Sequence, residues 1–203
     1  MKALIIVDTQ NDFMPGGPME VNEGDQIVPV INKIQDKFDL VVATQDWHPS
    51  NHISFVSQHD GHTPFETIDI NGMEQILWPD HCVQNTKGAE FHPDLETDRI
   101  EAIFRKGMDV NIDSYSGFYD NNHEKTTGLA GYLREKGATE LYFTGLAADI
   151  CVYFTLKDAL QEGFNSTLIE DGTRPLDKDN FEKLKKELRK EGANFINSDE
   201  IAR

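Results

Sequence analysis

Short apolar runs alternate with amphipathic stretches along this chain, and that alternation constrains the fold more than any other feature. The runs are ALIIV at 3–7, LVVAT at 40–44, AIF at 102–104, ELYFTG at 140–145, STLIE at 166–170 and a short NFIN at 194–197. Runs without polar alternation predict strands covered on both faces, as in parallel sheets. Between them, residues 25–38 carry apolar side chains spaced near 3.6, as in a helix. The stretches 126–137, 149–163 and 180–192 each stop on a glycine: Gly137, Gly163 and Gly192. Glycine readily takes the left-handed conformation that ends a helix. Repeated strand, helix, strand predicts an α/β fold with right-handed crossovers. At 203 residues, a single domain spanning 1–203 is expected, with no linker and no repeat.

The segment from Asp46 to Asp98 breaks the pattern. It holds six of the seven histidines, four of the eight prolines and both tryptophans, with little periodicity. A loop that long inside a compact domain is usually functional. Residues from about 45 to 98 are therefore expected to form an irregular insertion that carries chemistry.

Charge and cysteine content narrow the setting. The formal net charge of −17 would repel nucleic acid and anionic membrane, so neither is expected as a partner. It is silent about a small neutral substrate. No apolar run approaches a membrane span, and MKALIIVD meets Asp8 too soon for a signal peptide. Two cysteines, Cys82 and Cys151, make no disulfide scaffold. One bridge between them can be drawn, but spacing does not establish proximity. A reduced, cytoplasmic compartment is the expectation. A homo-oligomer is compatible with the sequence, which leaves the state open.

In open α/β sheets, ligands bind beyond the carboxyl ends of the strands. Asp8 follows the first run, Asp46 and His48 the second, Arg105 and Lys106 the third, and GLAADICV the fourth. An acid, a metal-type pair, a cation and a thiol would thus share one edge. Cys151 opens a predicted helix, whose free N–H groups and positive end lower a thiol pKa and can hold an oxyanion. The alternative is an inert buried thiol. Asp8 can be a turn former, or a base for Cys151. Lys106 can be a surface lysine, or the charge that fixes Asp8 and favours a thiolate. In DWHPSNH, Asp46 and His48 can point the same way on an extended segment. With His81 of WPDHC they would make an open catalytic metal site. Phe13, Trp78 and Tyr115 flank these motifs, as core residues or as rings that stack on a flat aromatic substrate.

DTQNDFMPGG, DWHPSNHISF, WPDHCVQNTKGAEF, KGMDVNIDSYSGF and GLAADICV, in this order, resemble the nicotinamidase family within the isochorismatase-like cysteine hydrolases. The resemblance covers nearly the whole chain. It implies a three-layer α/β/α sandwich around a six-stranded, mainly parallel sheet. It implies a catalytic triad of Asp8, Lys106 and Cys151, and a divalent metal (zinc, iron or manganese, with zinc slightly ahead) on Asp46, His48 and His81. His52 matches a histidine that some members place at the metal, and is expected in an auxiliary role. A non-proline cis peptide between Leu146 and Ala147 would aim the Ala147 and Cys151 N–H groups into an oxyanion hole. Phe13 and Trp78 match rings that enclose a pyridine. The implied reaction is hydrolysis of nicotinamide to nicotinate and ammonia through a cysteine thioester, with pyrazinamide as a further expected substrate. Two departures stand out: Ala148 where many members have threonine, and Asn85 where many have glycine. Cys82 lacks the strand-to-helix context of a nucleophile. A sister amidohydrolase or isochorismatase-type activity is the nearest alternative. A non-catalytic metal-binding or redox-sensing protein of the same fold is the more distant one.

Overall fold

The computed structural model describes residues 1–70 and 72–201. Six strands form one sheet: β1 (Lys2–Val7), β2 (Leu40–Asp46), β5 (Ile100–Lys106), β6 (Glu140–Leu146), β7 (Asn165–Arg174) and β8 (Asn194–Ile196). Their order is β5-β2-β1-β6-β7-β8, and every pairing is parallel. Among the described residues, four α-helices accompany them: α1 (Ile27–Ile34), α2 (Leu129–Glu135), α3 (Cys151–Gln161) and α4 (Lys178–Lys190).

The central strands are buried on both faces, as their unbroken apolar runs require. On β1, Ala3, Ile5 and Val7 join one core with side chains of α2, α3 and α4, including Leu133, Leu156 and Leu188. Leu4 and Ile6 join a second core with Ile27 and Ile31 of α1. The result is the three-layer sandwich that the resemblance implies. The insertion supplies Trp78, Cys82, Ala89 and Leu95 to the α1-side core. It does the covering that a crossover helix would otherwise do between β2 and β5.

The insertion is less irregular than its composition predicts. It contains an antiparallel hairpin of β3 (Thr67–Ile70) and β4 (Met73–Ile76). The Asn-Gly dipeptide between the two strands is a hairpin signal in the sequence. β7 also runs four residues past the expected STLIE. α4 begins at Lys178, where the preceding Asp177 caps it by accepting from Asp179 and Asn180 N–H at 2.9 and 3.0 Å. Asp177→Ala is expected to cost about 1 kcal/mol. Urea unfolding should register it as a lower midpoint with an unchanged slope.

The strand order reverses direction between β1 and β6. This is the switch point at which open α/β sheets leave a crevice at the strands' carboxyl ends. Asp8 follows β1 there, and the turn bearing Cys151 follows β6. Gly145 brings those two strand ends together. It has φ +110°, and a Cβ would stand 1.9 Å from the Val7 carbonyl oxygen.

Candidate active site

Asp8, Lys106 and Cys151 meet at the switch point, all buried. Asp8 leaves β1 with φ +42°, a left-handed conformation unusual outside glycine. Thr44 on β2 donates to its Oδ1 at 2.6 Å. Asp8 Oδ2 lies 2.9 Å from Lys106 Nζ. Beyond that ion pair, this buried oxygen has no hydrogen-bond partner among the described residues. An oxygen of Asp8, one of Asp46 and Cys151 Sγ all lie within 4.8 Å of one another. The Asp8 carboxylate therefore stands within reach of the thiol proton.

Lys106 is 2% exposed, which rules out the surface-lysine reading. Its ammonium contacts Asp8, Asp46 Oδ1 at 2.5 Å, the Ser114 carbonyl at 3.0 Å and Cys151 Sγ at 3.5 Å. Burial works against its charge, but the two carboxylates overcome this and raise its pKa well above the usual lysine value. The cation thus links the candidate nucleophile to a candidate metal ligand, a connection that spacing did not suggest.

The expected helix-end activation of the thiol needs correcting. Burial pushes the Cys151 pKa well above the ordinary thiol range, and the nearby Lys106 only partly offsets it. Asp8 is also raised, by burial first, with Lys106 opposing. Cys82 is buried too, is not bridged to Cys151, and has its thiol pushed up by burial.

Asp46, His48 and His81 come together beside the triad, with one ligand atom from each inside a 4.8 Å cluster. His48 Nδ1 is 2.9 Å from the Gly107 carbonyl, and His81 Nδ1 is 2.7 Å from the Pro79 carbonyl. Those contacts make each Nδ1 the N–H donor and turn the Nε2 lone pairs toward Asp46 Oδ2, at 3.4 and 3.7 Å. Orientation of ligating imidazoles by backbone carbonyls is the usual outer support of a metal site. Burial alone would raise the Asp46 pKa, but Lys106 and His48 outweigh it and hold the carboxylate well below its usual range. This buried O/N/N set fits a divalent cation. Gly107 is forced here, because a Cβ would reach within 2.3 Å of the His48 ring.

His52 lies outside that trio. Its ring is 4.3 Å from the His48 ring, its Nδ1 pairs with Ser54 Oγ at 2.7 Å, and its buried Nε2 has no hydrogen-bond partner among the described residues. Burial, followed by the neighbouring His48, lowers its pKa to about 4, so its ring is neutral near pH 7.

A small cavity joins the two groups. Cys151 and Ala147 line one side, Asp46, His48 and His81 another, and Phe13, Trp78 and Tyr115 supply aromatic surface. The Leu146–Ala147 peptide is cis. Ala148 N–H donates to the Arg174 carbonyl, and those of Ile150 and Val152 donate to the Ala147 carbonyl. Cys151, as the first residue of its helix, has no intrahelical acceptor for its own N–H. The turn uses its backbone at position 148, so a threonine hydroxyl is dispensable for these bonds. Asn85 has φ +63°, which explains a position that suits glycine and that asparagine also tolerates.

Several lining or supporting residues had no sequence assignment. Gln10 pins the end of β2, donating to the Asp46 carbonyl and accepting from its N–H, both at 2.8 Å. Met19, Asp113, Ile150 and Leu176 complete the cavity wall. Leu176 lies two residues past β7, but the apolar run of that strand ends well before the strand does, so the strand-end rule gave no signal for it.

Residues 2–200 match the family model described as the isochorismatase domain. A nicotinamidase of Acinetobacter baylyi is 50% identical over 86% of this chain and 82% of its own. A solved Acinetobacter baumanii nicotinamidase and pyrazinamidase superposes with a TM-score of 0.96 at 44% identity, covering 99% of this chain and 98% of that one. The pyrazinamidase of Pyrococcus horikoshii, solved in complex with zinc, gives 0.80 at 40% identity, covering 97% and 98%.

Proposed function

The chain belongs to the isochorismatase-domain family, and from that premise we propose that it is a nicotinamidase, an amidohydrolase that converts nicotinamide to nicotinate and ammonia. The observation that carries the reading is one small aromatic-walled cavity with a buried Asp-Lys-Cys cluster on one side and an O/N/N ligand set on the other. The single domain and its insertion serve to bring these two sides together.

Phe13, Trp78 and Tyr115 hold the pyridine ring, leaving the carboxamide carbon at Cys151 Sγ. This proximity replaces a bimolecular encounter. Asp46, His48 and His81 would hold one divalent ion; the donor set suits zinc, iron or manganese, and the zinc complex of the Pyrococcus relative favours zinc. When bound, it supplies a Lewis-acid contact for the ring nitrogen. Asp8 takes the thiol proton as Sγ attacks. That transfer moves a negative charge from Asp8 to sulfur beside the same Lys106 cation, so no net charge is created in the buried site. The Ala147 and Cys151 N–H groups stabilise the tetrahedral oxyanion, at about 3 kcal/mol per donor. Asp8 returns the proton to the departing ammonia, then activates the water that cleaves the thioester.

The test is ammonia release from nicotinamide by purified, metal-loaded protein, beside Cys151→Ala and a chelator-treated sample. Turnover in the parent and none in Cys151→Ala or the stripped sample is the expected result. A silent metal-loaded parent would remove nicotinamide as the substrate. Full activity after metal removal would favour a metal-independent relative of the same fold.

A further inference from the structure

The reaction above makes no use of Leu176, although this side chain lines the cavity. Leu176 is 37% exposed, whereas Phe13, Trp78 and Cys151 are buried, so it stands at the cavity mouth. Its backbone is clamped. Leu176 and Asp177 N–H donate to the two oxygens of Asp149 at 2.8 and 2.9 Å. Ala148 N–H donates to the Arg174 carbonyl at 2.9 Å. Three hydrogen bonds thus hold the β7–α4 connection against the turn that carries Cys151. Asp149, buried two residues before the nucleophile, spends both oxygens on this clamp. Asp177 then caps α4, which anchors the far end.

We propose that Leu176 is a specificity-determining residue that closes the Cys151 end of the pocket against substituents on the scissile amide nitrogen, and that Asp149 is the positioning residue holding it there. The proposal rests on the amide hydrolysis proposed above. Attachment to the Cys151 turn puts Leu176 on the side of the mouth where the carboxamide reacts and the amine departs. A primary amide presents only hydrogens there. A secondary amide presents an alkyl group that meets the leucine side chain. The chemistry is otherwise the same: the C–S bond forms, the C–N bond breaks, the amine leaves with a proton, and water cleaves the thioester. For N-methylnicotinamide methylated on the carboxamide nitrogen, the leaving group is methylamine instead of ammonia.

The experiment compares kcat/KM for that secondary amide with kcat/KM for nicotinamide, in the parent and three variants. One methyl group in a tight pocket is discriminated by about 10- to 200-fold. Leu176→Ala is expected to raise the secondary-to-primary ratio about tenfold or more. Leu176→Met, which keeps the volume, should leave the ratio within about twofold of the parent. Asp149→Asn has a single acceptor oxygen in place of two, frees part of the clamp, and should move the ratio in the same direction as Leu176→Ala. An unchanged ratio in Leu176→Ala overturns the proposal, as does an equal rise in Leu176→Met. If Asp149→Asn slows both substrates at a constant ratio, its positioning role is overturned. A parent that releases no ammonia from nicotinamide is a different failure, that of the reaction itself.

Discussion

Lys106→Met is expected to abolish turnover and destabilise the fold at once. Methionine keeps much of the stem volume but removes the cation that Asp8 and Asp46 share. Two buried carboxylates are then left uncompensated, and breaking a buried pair in this way costs about 3–5 kcal/mol. For a chain of this length that lowers the melting temperature by about 10 °C. The catalytic loss should be at least about 10³-fold, because the charge that steadies both Asp8 and a developing thiolate is gone. Thermal melts of metal-free parent and variant, with ammonia release on the same preparations, test both parts. A variant that melts with the parent would mean the carboxylates do not depend on Lys106 for their charge balance. Lys106 would then be a bystander of the fold.

Asp8→Asn separates catalysis from metal binding. The replacement is nearly isosteric and Thr44 can still donate to its side-chain oxygen, but the carboxylate that could take the thiol proton is lost. A fall in kcat of up to about 10⁴-fold is expected from losing the general base. Metal content should stay at the parent's level, since Asp46, His48 and His81 are untouched. The pH profile gives a second reading. Burial raises the Asp8 pKa, with Lys106 opposing, so the protonated and inactive form persists above the ordinary carboxylate value of 3.8. As pH falls through that raised pKa, the parent's kcat/KM should drop, and the residual rate of Asp8→Asn should lack this limb. Retention of half or more of the parent's activity would exclude Asp8 as the base.

Much of this site was legible because strand ends are legible. Asp8, Asp46, Lys106 and the Cys151 turn each follow a continuous apolar run, and parallel strands deliver their carboxyl ends to one edge. The same rule missed Leu176, because the apolar STLIE run ends at Glu170 while β7 continues through Asp171–Arg174. The polar end of that strand leaves no hydrophobic signal. The role of Asp149 was only half readable. An acid before a helix-opening cysteine suits a helix cap or structural hydrogen bonds, and it makes the latter, to partners, Leu176 and Asp177 N–H, that lie 27 and 28 residues away. The β3–β4 hairpin was obscured by the composition around it, despite the Asn-Gly dipeptide in the sequence between its strands.

The sequence by itself determined the sheet, the order of helices and strands, and the residue types that crowd one edge. These follow from local periodicity and from strands too apolar to have a wet face. Tertiary structure alone decided the protonation balance. A helix terminus predicts an easily ionised thiol, yet enclosure raises the Cys151 pKa well above the usual thiol range. It also decided that Lys106 joins Asp8, Asp46 and Cys151 in one electrostatic unit. Periodicity is a property of neighbours along the chain. Desolvation and Coulomb energy depend on the distances between residues that only folding brings together.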